Sequence, residues 1–151
     1  MVSSHNDSIP SNILFDGKRL WLIDWESAYR NDPLVDVAIV SDSLALLPEL
    51  EEVLLRTWFS RAPDEAVRTR LELVRAFTRL YYAGVLLSAS AAASWVKGAT
   101  DLSAPTLQQF RLAIHEGGLK PGAPGTKHVL GKMFLASFFS GVAPPGFDDA
   151  V

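Results

Sequence analysis

Three side chains near the start of the sequence have types and spacing that suit a group-transfer reaction. Asp7 and Asn12 share one short polar string, and Asp24 directly follows the apolar run Leu20–Ile23. Phosphoryl transfer needs a carboxylate that orients the attacking hydroxyl and accepts its proton, together with oxygen ligands that hold Mg²⁺ on the phosphates. Asp7 suits the first requirement, and Asn12 with Asp24 suits the second.

A predicted β-hairpin explains how Asn12 and Asp24 can share one site. Asn12–Phe15 and Leu20–Ile23 are apolar runs, and Asp16-Gly17 between them is a strong hairpin-turn signal. A turn over residues 16–19 places Asn12 opposite Ile23, and a register one residue longer places it opposite Asp24. Both registers bring the amide and the carboxylate to the same end of the hairpin.

The same residues resemble the functional loops of a known enzyme family. The pattern His-x-Asp-x-x-x-x-Asn over His5–Asn12, followed by a hairpin and Ile23-Asp24-Trp25-Glu26, is similar to the catalytic and metal-binding loops of the kinase-like fold. It most resembles the aminoglycoside phosphotransferase and choline/ethanolamine kinase group. Protein kinases usually carry Lys two residues after the catalytic Asp, where this chain has Ile9, so a small-molecule hydroxyl acceptor is favoured over a protein substrate.

The resemblance implies a role for each of these residues. Asp7 would be the catalytic base or hydroxyl-orienting group, and Asn12 and Asp24 would bind Mg²⁺, with ATP as co-substrate. His5 and Asp36 would brace the catalytic loop. The ordinary alternatives are a loop cap for Asp7, a turn former for Asn12 and a helix N-cap for Asp36.

The acceptor implied by the resemblance is an amino alcohol, a choline-like compound, an aminoglycoside or another sugar. Glu26, Asp42 and Trp25 are candidate substrate-binding residues, because carboxylates and aromatic faces attract cationic groups. Ser27 stands where many choline kinases carry Tyr, which weakens a choline assignment. Surface or capping roles for the carboxylates and core packing for the aromatic rings are the competing interpretations.

Apolar spacing of three and four residues predicts helices over most of the remaining sequence. The predicted helices run from Pro33 to near Pro48, over Glu49–Arg61, from about Pro63 onward, over Asp101–His115 and over Thr126–Phe139. The third helix is expected to bury a stripe that includes Val67, Leu71, Phe77, Tyr81 and Val85, and to expose Arg68, Glu72, Arg75 and Arg79 to solvent. The uncharged run between Arg79 and Lys97 is too short for a bilayer span and predicts a buried core helix.

The predicted fold class is mainly α with a small β-hairpin (α+β), and the resemblance implies the C-terminal lobe of the protein-kinase-like fold without its N-terminal lobe. Residues 1–140 would form this lobe, with the catalytic loop and metal-binding hairpin in 1–32 and a helical subdomain in 33–140. Residues 141–151 are predicted to be a flexible tail. Four residues precede His5, so we expect a truncated form that binds ATP only if an N-terminal lobe is supplied and is inactive alone.

The overall composition narrows the function classes. A net charge of −3 with scattered basic residues argues against a nucleic-acid binder, and the absence of cysteine excludes thiolate chemistry. The first residues lack the basic start and apolar segment of a signal peptide, so a cytoplasmic protein without a membrane span is expected. Self-association through a surface that the other lobe would cover is a further expectation. The alternative function is a non-catalytic fragment or pseudoenzyme that acts as a binding or scaffold module.

Overall fold

The computed structural model describes residues 1–45, 47–93 and 101–142, and this part of the chain is mainly helical with two small antiparallel sheets. The α+β class is thereby confirmed, whereas the assignment to one lobe of a kinase-like fold stays a prediction. The strands are β1 (Val2–Ser4), β2 (Ile13–Phe15), β3 (Leu20–Leu22) and β4 (Tyr29–Asn31). The helices are α1 (Leu34–Ser43), α2 (Pro48–Phe59), α3 (Glu65–Ala92), α4 (Leu107–His115) and α5 (Pro124–Val142).

The predicted hairpin is formed by β2 and β3 in the first of the two registers. Phe15 pairs with Leu20 and Ile13 with Leu22, and the backbone amide of Ile23 donates to the carbonyl of Asn12 at 2.9 Å. The turn is held by Asp16, whose carboxylate accepts from the backbone amides of Lys18 and Arg19. The register with Asn12 opposite Ile23 is therefore correct.

A second sheet, formed by β1 and β4, was not predicted. Its antiparallel register pairs Val2 with Asn31 and Ser4 with Tyr29. Both strands have only three residues, which is too short for an alternating pattern to stand out in the sequence. Because β1 ends at Ser4, this sheet fixes the start of the polar string that follows, and the two ends of the 5–28 segment are brought together.

The chain forms two compact units, Met1–Thr78 and a second unit that begins at Arg79. The core of the first unit lies where α1, α2 and α3 pack together, and it consists of Leu34, Val37, Ala38, Leu55 and Leu71. Val37 and Ala38 are completely buried. Since Asp36 precedes them directly in α1, a polar group is held at the edge of this core.

The basic face of α3 is not the solvated surface that was predicted. Arg75 is largely buried, and it donates from Nε to Asp42 of α1 at 3.0 Å and from Nη1 to Glu51 of α2 at 3.1 Å. Arg68 donates to Glu52 of α2 at 2.9 Å. These residues therefore join three helices of the first unit, which is an arrangement that spacing along one helix cannot reveal.

The expected burial along α3 is correct at Leu71 and wrong from Phe77 onward. Leu71 is buried, but Phe77, Tyr81 and Val85 are exposed. In the second unit the buried positions of α3 are instead the small residues Ala83 and Ser90. The helix that was predicted to be buried between Arg79 and Lys97 is thus buried on one narrow face. Residues 94–97 of that run lie outside the described part of the chain.

The remaining helix boundaries differ from prediction by a few residues, except for α4. It begins at Leu107 rather than Asp101, because Thr106 and Gln109 form a reciprocal capping box at its start. The helix α5 begins at Pro124 and continues to Val142, past the predicted start of the tail at 141. The rest of that tail, 143–151, lies outside the described residues. Within the described ranges, no helix has the length and apolar content to cross a bilayer.

Candidate active site

The loop from His5 to Asn12 is anchored to the first helix by one carboxylate. Asp36, which is 8% exposed, accepts from the backbone amide of His5 at 2.9 Å and from that of Asn6 at 2.8 Å. The hydroxyl of Ser8 donates to the same carboxylate at 3.0 Å. Three donors on one buried carboxylate fix the path of the loop on both sides of Asp7, since hydrogen bonds to a charged acceptor are among the stronger ones.

The imidazole of His5 is held inside the protein by both of its nitrogens. Nε2 lies 2.8 Å from the carbonyl oxygen of Ile23, and Nδ1 accepts from the backbone amide of Asp7 at 3.3 Å. These partners assign the proton of the neutral ring to Nε2, because a carbonyl oxygen can only accept. The ring also meets Trp25 edge-on, with centroids 4.7 Å apart. His5 therefore links Asp7 to the residue that precedes Asp24.

Asn12 and Asp7 are joined directly. The amide nitrogen Nδ2 of Asn12 donates to both the backbone carbonyl and the carboxylate of Asp7, at 2.9 Å each. Both hydrogens of the amide are used in this way. The oxygen Oδ1 of Asn12 is consequently the atom that is left to face a cation, while the Asp7 carboxylate is held in one orientation.

Asp24 stands at the end of the hairpin in an unusual backbone conformation. Its φ of 63° and ψ of 63° are left-handed, and its side chain is exposed. Aspartate tolerates this region better than most residues, and a non-glycine residue there often marks a functional position. The hydrogen bond between Ile23 and Asn12 across the hairpin brings Asp24 to the same end as Asn12.

The donor set at this end of the hairpin fits Mg²⁺. Carboxylate and amide oxygens are the protein ligands that this hard cation prefers, and it is often held by only one or two carboxylates together with water and substrate phosphates. Among the described residues, no group of three or more His, Asp or Glu side chains is arranged to hold a metal ion. The amide oxygen of Asn12 and the carboxylate of Asp24 are nevertheless of the kinds that Mg²⁺ takes as protein ligands.

The three candidate substrate-binding residues lie in different surroundings. Trp25 and Glu26 form a short 3₁₀ turn directly after Asp24, and both side chains are exposed. The indole of Trp25 donates to the carbonyl of Leu22 at 2.8 Å, so its ring is fixed. Asp42 belongs to the ion-pair cluster of Arg75. Its substrate role stays a prediction from sequence.

Two residues with a clear place in this site were missed from sequence. Asn6 has a left-handed φ of 64°, and its side-chain oxygen accepts from Nδ2 of Asn31 at 2.7 Å. All three asparagines of the 151-residue chain, Asn6, Asn12 and Asn31, lie in this region. That clustering was the available signal, because asparagine is enriched both in left-handed backbone and in local hydrogen bonding.

Known proteins are similar to this chain in the part of the sequence that contains the site. The model of the phosphotransferase enzyme family matches residues 2–77, which is 76 of the 151 residues. Protein LicA of Haemophilus influenzae (strain Rd) is 43% identical over 54 residues, which cover 36% of this chain and 20% of LicA. A second LicA from Haemophilus influenzae has the same identity over 54 residues, with 16% of its length covered.

A more distant relative is an uncharacterized protein of Metamycoplasma hominis, 30% identical over 71 residues, which are 46% of this chain and 14% of that protein. The chain thus spans a fifth or less of the curated relatives that it matches. No solved structure matches it significantly. Because the family model covers half of the sequence, the resemblance predicted from His5–Asn12 and Asp24 is confirmed, and the chain belongs to the phosphotransferase enzyme family.

Proposed function

We propose that this chain carries the catalytic and metal-binding loops of an ATP-dependent phosphotransferase whose acceptor is a hydroxyl group of a small molecule. The observation that carries the proposal is the direct bonding of Asn12 to Asp7, within a loop that Asp36 anchors. Catalysis of phosphoryl transfer consists largely of positioning and charge neutralisation. A loop held at this many points meets the positioning requirement.

In the proposed reaction Asp7 orients the acceptor hydroxyl and takes its proton. The acceptor oxygen forms a bond to the γ-phosphorus, the bond from that phosphorus to the β–γ bridging oxygen breaks, and ADP leaves. Asn12 holds the Asp7 carboxylate in place through Nδ2. Asn12 Oδ1 and the Asp24 carboxylate would hold Mg²⁺, which when bound neutralises charge on the phosphates.

The proposed acceptor is an amino alcohol, a choline-like compound or an aminoglycoside or other sugar. Trp25 and Glu26 support a cationic acceptor, because an indole ring held by a hydrogen bond and an exposed carboxylate follow Asp24 at consecutive positions. Choline and 3,3-dimethyl-1-butanol have similar shapes, but only choline is charged. A cation site at Trp25 is expected to shift the indole NMR resonance with choline and not with the neutral alcohol, and equal shifts would contradict it.

The metal site is the part of the proposal that can be tested on this chain directly. Mn²⁺ replaces Mg²⁺ at oxygen ligands and broadens NMR signals of nearby nuclei, so the broadening should centre on Asn12 and Asp24. Asp24→Asn should abolish it, whereas Glu49→Gln, the same charge change at an exposed position of α2, should not. Broadening spread over other surface carboxylates in the unaltered chain would refute the assignment.

We further propose that the 151-residue polypeptide, purified alone, has no appreciable transfer activity. The residues assigned to the site are Asp7, Asn12 and Asp24, which do not clamp the nucleotide phosphates directly, and losing even one donor of that kind typically costs about 10²–10³ in rate. Release of ADP in a coupled assay tests this expectation. Turnover that Asp7→Ala abolishes would show that these residues suffice. Absence of transfer even when a nucleotide-binding lobe is supplied would instead support the non-catalytic binding module.

Self-association is a further proposal about partners. Phe15 and Leu20 are exposed apolar residues that pair across the hairpin, and adjoining apolar groups promote association. Light scattering over a range of protein concentrations is expected to show a mass that rises with concentration. A constant monomer mass would rule it out.

A further inference from the structure

The side chain of Asn6 makes hydrogen bonds through both its nitrogen and its oxygen to other residues of the first unit. Its amide nitrogen donates to the carbonyl of Ser4 at 3.1 Å and to that of Ser27 at 3.0 Å. Its oxygen accepts from Nδ2 of Asn31 at 2.7 Å. Ser4 ends β1, Asn31 ends β4, and Ser27 closes the 3₁₀ turn that begins directly after Asp24.

The backbone of Asn6 is equally constrained. Its φ of 64° is left-handed, and its amide donates to Asp36. A left-handed residue reverses the direction of the chain locally, and here the next residue is Asp7. Glycine would allow the same backbone at no steric cost. The backbone conformation alone therefore does not explain an asparagine at this position, and the hydrogen bonds of its side chain need an explanation of their own.

Asn31 is placed to hold the Asn6 side chain in one orientation. Its oxygen accepts from the backbone amide of Asp32 at 2.9 Å, which fixes Nδ2 as the donor toward Asn6. With the Asn6 oxygen engaged by Asn31, its two amide hydrogens must point to Ser4 and Ser27. The orientation of one asparagine thus determines a bond to the segment that carries Asp24.

We propose that Asn6 and Asn31 are a positioning pair that sets the placement of Asp24 relative to Asp7. The inference builds on the proposed function, because it treats Asp24 as a metal ligand and Asp7 as the residue that meets the acceptor. Through Ser27, the pair ties the turn after Asp24 to the loop that carries Asp7. Some residues do not touch the metal but hold its ligands in place by hydrogen bonds. Altering them typically changes metal affinity by roughly 10–100-fold.

Asn31→Asp is the sharpest test of the pair. It keeps the size of the side chain and the acceptor for Asp32, and it removes the donor to Asn6 together with a longer bond of 3.3 Å to the hydroxyl of Tyr29. The added negative charge would by itself strengthen binding of a divalent cation, so weaker binding cannot come from charge. We expect the affinity for Mn²⁺ to fall roughly 10-fold. Gln108→Glu adds the same charge at an exposed position of α4 and should leave the affinity unchanged.

Asn6→Gly provides the second arm, because it retains the left-handed backbone and removes the amide. It should lower Mn²⁺ affinity by a similar factor. The double variant Asn6→Gly with Asn31→Asp should lose no more than Asn6→Gly alone, since the Asn6–Asn31 contact is already absent there. Unchanged Mn²⁺ affinity in both single variants would contradict the proposed positioning role of Asn6 and Asn31. So would losses that multiply in the double variant.

A measurement without metal separates this inference from the proposed function. The backbone amide of Ala28 bonds to the carbonyl of Trp25 at 3.0 Å in the turn that Asn6 holds. If the pair positions that turn, hydrogen exchange at Ala28 will accelerate in Asn31→Asp, whether or not Mn²⁺ binds to the unaltered chain. If Mn²⁺ fails to bind but exchange accelerates, the metal site is wrong and the positioning pair stands. If hydrogen exchange at Ala28 is as slow in Asn31→Asp as in the unaltered chain, the positioning role is wrong.

Discussion

The carboxylate of Asp36 accepts a hydrogen bond from the backbone amide of Asn6 at 2.8 Å, across thirty residues of sequence. Asp36 lies in the first turn of α1, and the next two residues of that helix are completely buried. The loop that carries Asp7 is therefore attached to a part of the first unit that cannot move without disturbing the core. Rigid support of this kind is what a site needs when its contribution is mainly positioning.

Replacement of Asp36 by Ala should destabilise the first unit strongly. The two backbone amides and the Ser8 hydroxyl would lose their shared acceptor in a buried place, and each unsatisfied buried donor costs about 1–3 kcal/mol. We expect the free energy of unfolding to fall by about 3 kcal/mol or more, as measured by urea denaturation. Asp64→Asn is the matched control, because Asp64 caps α3 at an exposed site and Asn caps about as well.

The bracing role of Asp36 would be wrong if Asp36→Ala lost no more stability than the control. Asp36→Asn adds a finer test. Its amide keeps one acceptor oxygen but turns a nitrogen toward donors, so its unfolding free energy should lie between those of the unaltered chain and Asp36→Ala.

The hairpin was predictable from sequence because it depends on local order along the chain. The turn signal at Asp16-Gly17 and the spacing of the flanking apolar runs narrowed the β2–β3 register to two possibilities, and the structure has the one with Asn12 opposite Ile23. The contacts of Asn6 were not predictable in the same way. They join three segments through side-chain and carbonyl atoms, and no periodicity encodes which segments meet.

The burial of α3 shows a second limit of prediction from sequence. A stripe of large apolar residues predicts the buried face of a helix when the partner has room for large side chains. In the second unit the buried positions of α3 are small residues, whereas Tyr81 and Val85 face outward. The pattern of large residues therefore pointed to the wrong face, and the ion pairs of Arg75 were hidden because they depend on two other helices.

Asp16 is expected to give the hairpin a measurable pH dependence. A hydrogen bond from the indole of Trp21, followed by the backbone amides of Arg19 and Lys18, lowers the pKa of Asp16 below its ordinary value. A carboxyl with a lowered pKa in the folded state stabilises it above the unfolded pKa, and this contribution disappears as pH falls through the folded pKa. Hairpin stability should thus decline below about pH 4.

The indole NH resonance of Trp21 reports this titration directly by NMR. It should move as Asp16 is protonated, with a midpoint below the ordinary aspartate value. In Asp16→Asn the movement should be absent at every pH. A midpoint at or above the ordinary value would show that the Trp21 hydrogen bond contributes nothing to the carboxylate.

Arg75 should contribute more to stability than the exposed arginines of the same unit. Its side chain is 13% exposed, and Arg75→Met would leave Asp42, Glu51 and Glu72 near one another without their shared cation. Removing one partner of a largely buried pair is costly, and we expect a loss of about 2–3 kcal/mol in urea denaturation. The Arg56 side chain, which pairs with Glu52, is 64% exposed, and Arg56→Met should cost less than about 1 kcal/mol. Equal losses in the two variants would mean that Arg75 acts as a surface residue.

Gly131 marks a close approach between α5 and α3 within the second unit. A Cβ atom at Gly131 would lie 2.8 Å from Cγ of Leu87 and 3.2 Å from its backbone nitrogen, so either the side chain or the helix would have to shift. Overpacking of this kind typically costs about 1–3 kcal/mol. Gly131→Ala should therefore lower the melting temperature, although alanine is the better helix former.

Gly84→Ala separates the steric effect from helix propensity. Gly84 also lies inside a helix, but a Cβ there would meet nothing within 4 Å. This variant should gain about 0.5–1 kcal/mol, because alanine loses less conformational freedom on folding. Leu87→Ala combined with Gly131→Ala should recover part of the loss by removing the clashing side chain. If Gly131→Ala stabilises the chain as Gly84→Ala does, then α5 and α3 do not approach each other at Gly131 as the structure shows.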